Sequence, residues 1–154
     1  MPRIFHDSES NSFTFDVDCS NPLSNAYVKF SFENNKVKLS AIRLCNQYSN
    51  HSYITGFKLY GNTDDCEDPS DESLKDADSS SWELINEFTN LPGSYGYVTY
   101  ELSPSKSYKH YLFKISSYSG GSGNGQVIIN QMQLWEDTVA ALMGEDASND
   151  YKIY

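Results

Sequence analysis

Apolar and aromatic side chains recur at every second position in a series of short runs, and this period constrains the fold more than any other feature. In "YVKFSF", residues 27–32, Val28, Phe30 and Phe32 share one face. In "YKHYLFKIS", residues 108–116, Tyr111, Phe113 and Ile115 do the same. Successive side chains of a strand point to opposite faces, so a period of two marks a strand with one face against a core. The same reading predicts strands over 12–17, 36–45, 54–60, 82–88, 97–102 and 126–135. Gly, Pro, Asn and Ser cluster between the runs, and "ENNK" at 33–36 reads as a tight turn where Asn tolerates positive φ. The 154 residues fit one domain with a real core. Twelve Tyr and eight Phe suit pleated, half-buried surfaces. The expected fold is all-β, an eight-stranded antiparallel β-sandwich of the jelly-roll type. Its expected core holds Phe30, Phe32, Leu39, Phe57, Leu59, Trp82, Tyr111, Phe113, Ile129 and Leu134. The expected domain is 1–135 with a short lead-in, followed by an acidic tail, 136–154, whose stretch 136–146 is the one helical candidate.

Two runs change phase. In 36–45, Val37, Leu39 and Ala41 occupy one parity, and Ile42 and Leu44 the other. In 126–135, Val127 and Ile129 give way to Met132 and Leu134. A β-bulge shifts parity in this way, and so does a strand that passes from one sheet to the other.

Several function classes are excluded. A net charge of −10 repels phosphate backbones, so nucleic acid is not an expected partner. No apolar run approaches 18 residues, so no membrane insertion is expected. The start, "MPRIFHDSES", shows no apolar core of a signal peptide. Cys19, Cys45 and Cys66 form neither a disulfide framework nor a zinc spacing. No nucleophile elbow or paired-histidine metal motif is present, and only His6, His51 and His110 offer imidazole. His110 falls within an alternating strand and reads as structural. The carboxylates cluster in one segment rather than as a fixed pair, which argues against a glycosidase. The chain is therefore expected not to be an enzyme.

A family resemblance rests on three stretches in order. "YVKFSFENNKVKLSAIRL" resembles an aromatic strand, a turn and a basic strand. "ITGFKLYGNTDD" followed by "SWELINEF" resembles the discoidin, or factor V/VIII type C, run. "KSYKHYLFKISSYSGGSGNGQVIINQMQLW" resembles that family's closing strands. Together they cover about 26–135. The resemblance implies the galactose-binding-like jelly roll, a group that includes carbohydrate-binding modules and is mostly non-catalytic. It also implies an extracellular, cell-surface or virion-associated setting. Leu112 stands where the family commonly has arginine, and Gln131 where it often has a calcium-binding glutamate. An amide oxygen holds a hard cation less well than a carboxylate. The expectation is no cofactor and at most a weak calcium site. The segment between "GNTDD" and "SWELINEF" is an acidic insertion relative to the short family version.

"SSYSGGSGNG", residues 116–125, holds four of the nine glycines. It lacks the lysine of a phosphate loop, and a strand follows it where a dinucleotide fingerprint needs a helix. It reads as a strand-to-strand connection. If consecutive strands run antiparallel, loops 18–26, 46–53, 89–96 and 117–125 gather at one end. They bring Tyr48, His51, Tyr53, Tyr95, Tyr118 and Asn124 together. Rings that stack on sugar C–H faces, with Asn, Ser and His for the hydroxyls, make a carbohydrate site. The expected partner is a glycan, or a cell-surface or virion protein using the same loops. The other end collects 33–35, 61–81 and 103–107. Segment 61–81 carries eight carboxylates against one lysine, lacks the EF-hand order, and reads as a solvated excursion. "NHS" at 50–52 is a glycosylation sequon if the protein is secreted in a eukaryote.

Overall fold

The computed structural model describes residues 3–5, 13–16, 27–32, 36–46, 53–62, 82–92, 96–104, 106–119, 126–136 and 152–153. All eight expected strands are present. In chain order the elements are β1 (Arg3–Phe5), β2 (Phe13–Asp16), β3 (Tyr27–Ser31), β4 (Leu39–Asn46) and β5 (Tyr53–Asn62). Then come β6 (Glu83–Phe88), β7 (Gly96–Glu101), β8 (His110–Ser119), β9 (Gln126–Glu136) and β10 (Lys152–Ile153). The short strands β1 and β10 fall in the segments read as lead-in and tail. Past Glu136, which is in β9, the helical candidate 136–146 lies outside the described residues.

The strands form two antiparallel sheets. The first runs β1-β9-β4-β7, with β2 also on β9. β1 and β2 share one edge of β9, at residues 134–135 and 126–129 respectively. The second sheet runs β10-β3-β8-β5-β6. The period-two residues of both sheets face each other in one core that includes Phe30, Phe57, Leu59, Phe113, Ile129 and Leu134. Phe57 is its centre, with ring centroids 4.8 Å from Phe88, 5.0 Å from Tyr100 and 4.8 Å from Phe113. Aromatic pairs at such distances add to the burial of their area.

Both phase changes have structural causes. Leu39 pairs with Glu136 while Ala41 pairs with Trp135, so Ser40 is an extra residue on β4. The Ser40 hydroxyl donates to the carbonyls of Trp135 and Glu136, each at 3.2 Å. Farther along, Cys45 pairs with Gln131 and Asn46 with Ile129, which leaves Asn130 as the extra residue on β9. The sheet crossing occurs as well. Val37 pairs with Tyr108, just before β8 of the second sheet, and two residues later the chain is in the first. The Tyr111 phenol fixes this crossing. It donates to the Val37 carbonyl and accepts from Leu39 N–H at 3.3 Å, fully buried. Burial pushes its pKa above that of an ordinary phenol.

Nine of the ten expected core residues lie between the sheets. Trp82 is buried too, but on the outer side of the second sheet, against Tyr60 and Leu112. The period of a strand cannot tell an inner apolar face from a covered outer one.

Candidate functional site

The strand ends that carry the four loops meet in register. In the first sheet Asp16 pairs with Gln126, and Asn46 pairs with both Gly96 and Ile129. In the second, Tyr53 pairs with Ser119. Only 47–52 separate Asn46 from Tyr53, and only 120–125 separate Ser119 from Gln126. Connections this short place both sheets' ends side by side. The expected clustering of loops 18–26, 46–53, 89–96 and 117–125 at one end thus agrees with the pairing of their feet.

Two of the six candidate residues, Tyr53 and Tyr118, are described; Tyr48, His51, Tyr95 and Asn124 lie outside the described residues. Tyr118 is not at a loop tip. It is inside β8, half-buried, paired with Ile54 and packed against the main core. Tyr53 starts β5, also half-buried. Alternation from Ile54 places Tyr53 on the face opposite to Tyr118. Tyr118 therefore closes the core at the mouth of the sandwich, while Tyr53 stands on the outer side of the second sheet.

A local irregularity sets this arrangement. Ile54 pairs with Tyr118, Gly56 with Ser117 and Phe57 with Ile115, so Thr55 and Ser116 both stand outside the regular ladder. The Thr55 hydroxyl donates to Ser117 Oγ at 2.8 Å. Its carbonyl accepts from Leu91 N–H at 2.9 Å. Thr55 thereby joins β5, β8 and the foot of the β6–β7 loop. Gly56 sits in a tight place: a Cβ would lie 2.6 Å from Ser117 Oγ, 2.9 Å from Ser116 Oγ and 3.0 Å from the Phe88 carbonyl, so any side chain must displace these groups. The β6–β7 loop is bracketed by Asn90 at φ 52° and Gly96 at φ 90°. Asn is one of the few side chains that accept the left-handed region, and Gly96 has no Cβ to clash there. Leu91 packs on the core from this loop's foot. The sequence carried one sign of all this, a glycine inside an alternating run, which marks a bulge or close backbone approach. Thr55 and Ser117 carry no such mark.

Beneath the mouth, Tyr100 lies 5.2 Å from Phe88 by ring centroid, and burial pushes its phenol pKa above the ordinary value. His110 is at the opposite end, buried, with Nδ1 2.5 Å from Ser31 Oγ, in keeping with a structural histidine. Among the described residues, no three His, Cys, Asp or Glu are placed to hold a metal ion. No helix among them is long and apolar enough to cross a membrane.

No protein-family model and no curated protein sequence matches the chain. Solved structures do match in fold. The third CBM32 of a family 31 glycoside hydrolase from Clostridium perfringens superposes with a TM-score of 0.57 at 12% identity, covering 84% of this chain and 77% of that one. The CBM32 of AlyQ, solved in complex with 4,5-unsaturated mannuronic acid, gives 0.51 at 10% identity, covering 87% and 92%. The fold is thus the galactose-binding-like β-sandwich that these carbohydrate-binding modules share.

Proposed function

We propose that this chain is a non-catalytic carbohydrate-binding module that takes a glycan at the loop end of the sandwich. One observation carries the reading: strand ends from both sheets converge there, with Tyr118 at the mouth; the segments that join those ends are rich in Tyr, Asn and Ser in sequence. A ring face takes the C–H side of a sugar, and amides and hydroxyls take its hydroxyl groups. The solved relatives in fold are binding modules, one of them holding a sugar acid, and this supports the class of ligand.

A glycan array followed by titration calorimetry tests the reading. The expected result is a discrete set of glycans. Tyr118→Ala should weaken the best of them by about ten- to a hundredfold, as loss of a stacking hot spot does. Gly121→Val and Gly123→Val, which lie between β8 and β9, should weaken it with the sandwich intact. Silence on the array from folded protein, or wild-type binding by all three variants, would overturn the assignment.

A further inference from the structure

Alternation from the core residues Ile42 and Leu44 places Ala41, Arg43 and Cys45 of β4 on the outer face of the first sheet. Opposite them on β7 stand Glu101, Thr99 and Tyr97. Ala41 and Cys45 are buried, and so is Gln133 of β9, the residue paired with Arg43. The outward residues of β7 are not. Tyr97 is 41% exposed, and Thr99 and Glu101 are exposed as well. β7 ends the strand order of its sheet, and half-buried Arg43 stands between the closed part of the face and this open strip.

The charges on the strip do not pair with each other. Arg43 has two diagonal neighbours on β7, Tyr97 and Glu101. Diagonal neighbours on one face lie about 7–8 Å apart, within reach of a long side chain. Opposite charges at that spacing can meet, yet Arg43 and Glu101 form no ion pair. The guanidinium lies instead over the Tyr97 ring, 4.3 Å from its centroid. A cation over a ring face uses none of its N–H donors, of which a guanidinium has five. The stack holds those donors at a fixed place beside an exposed aromatic surface. At about 3.4 Å per residue, Tyr97 and Glu101 are about 14 Å apart along the strand. The strip thus carries a ring and donors at one end, the Thr99 hydroxyl in the middle and a carboxylate acceptor at the other end, with no aliphatic side chain among them.

We propose that this strip is a second binding site, for a neutral oligosaccharide laid along β7. The exposed ring takes the apolar C–H side of a sugar. The Arg43 donors and the Thr99 hydroxyl take its hydroxyl oxygens, and Glu101 accepts from its hydroxyl hydrogens. A cation and a carboxylate in one site suit hydroxyl groups, which both donate and accept. They suit an acidic saccharide badly, since Glu101 and a net charge of −10 repel it. A protein partner needs an apolar centre, and the strip has no aliphatic group to provide one. The stack on Tyr97 fixes the guanidinium before a ligand arrives, so less freedom is lost on binding. The strip runs from Gly96 down the outer face of the first sheet, away from the mouth that Tyr118 closes, and it does not require the loop end to bind anything.

An NMR titration of the isotope-labelled full chain tests this, with cellohexaose, xylohexaose and mannohexaose as neutral probes and hexagalacturonate as the acidic one. At millimolar concentration at least one neutral probe should give saturable shifts at the amides of Tyr97, Thr99 and Glu101 and at the Arg43 Nε–H. Hexagalacturonate should give none. Tyr97→Ala and Arg43→Met should each weaken the binding by about tenfold or more, as loss of a hot spot does. Both should melt within a few degrees of the wild type, since neither removes a core side chain. The mapping is made on the wild type, so it decides the matter even where a variant fails to fold. No shift at 97–101 with any neutral probe would overturn the proposal, as would binding of hexagalacturonate alone or unchanged affinity in both variants. Shifts confined to Ile54 and Tyr118 would overturn it and leave the loop-end reading standing. Shifts at 97–101 with none at Ile54 or Tyr118 would support it and count against the loop end.

Discussion

Tyr111→Phe deletes one oxygen from the point where the chain crosses between the sheets. The ring stays, stacked on Phe30 at 5.5 Å and edge-on to Phe32 at 6.2 Å, so no cavity forms. The phenol's two hydrogen bonds are lost. The Val37 carbonyl keeps the Tyr108 N–H at 2.9 Å, whereas Leu39 N–H loses the phenol oxygen in a fully buried site. A buried polar group stripped of a partner costs about 1–3 kcal/mol, so the variant should lose roughly 2–3 kcal/mol. For a domain of this size that is about 5–10 °C in Tm. Urea unfolding followed by far-UV circular dichroism measures the first figure, and a thermal scan the second. The phenol also has an alkaline signature. Its folded pKa is raised, first by desolvation, so the folded state keeps the proton when the unfolded state gives it up. Its contribution is complete below the unfolded value, near 10, and declines as pH rises from there towards the folded pKa. The variant should therefore lose less stability than the wild type between pH 9.5 and 11. A loss under about 0.5 kcal/mol, the scale of an ordinary surface change, would refute this account of the crossing.

Gly61→Ala should cost about 1–3 kcal/mol by overpacking, because its Cβ would run into the Tyr108 ring, whose hydroxyl is tied to Glu83 at 2.9 Å; chemical denaturation measures it. Gly56→Ala should force apart the Thr55–Ser117 junction and weaken glycan binding more than it lowers Tm, a split that calorimetry and melting resolve together. Lys106, at 2.8 Å, and then Tyr108 hold the Glu83 carboxyl below the usual carboxylate range. Its stabilisation is present above the unfolded carboxylate pKa and is lost as pH falls through the folded one, so Glu83→Gln should flatten the acid side of the Tm–pH curve. Millimolar calcium against chelator should leave Tm within a degree or so, since only a tightly held ion shifts melting strongly.

Strand positions were legible because a period of two has one physical cause. The phase breaks were legible as well, since an extra residue such as Ser40 or Asn130 must reverse the parity. The side of the sheet was not. Tyr60, Leu112 and Trp82 are as apolar as core residues, and alternation gives no sign of which face is inner. The end of β8 was missed for another reason. Ser117 and Ser119 read as loop, yet Gly56, Ile54 and Tyr53 extend the ladder to Ser119 across an irregularity whose one mark in the sequence is Gly56. What was legible of the candidate site is that the strand ends carrying those loops share one end of the sandwich, because antiparallel order alone gathers them. The site was not legible as a geometry, because Tyr53 and Tyr118 sit on neighbouring strands and still point to opposite faces.

The placement of β9 has a kinetic consequence. Within the first sheet β1, β2 and β4 all pair with residues 126–136. A ribosome releases those residues more than a hundred positions after β2, so the centre of that sheet is missing while most of the chain already exists. Until then β2 has no native neighbour in the sheet, and β4 has only β7, on the edge away from β9. Loop closure over such separations makes folding slow, and unpaired edges invite association between nascent chains. The first sheet should thus be completed in one late step, when β9 enters between β2 and β4, and the yield of soluble protein should depend on how crowded the unfinished chains are.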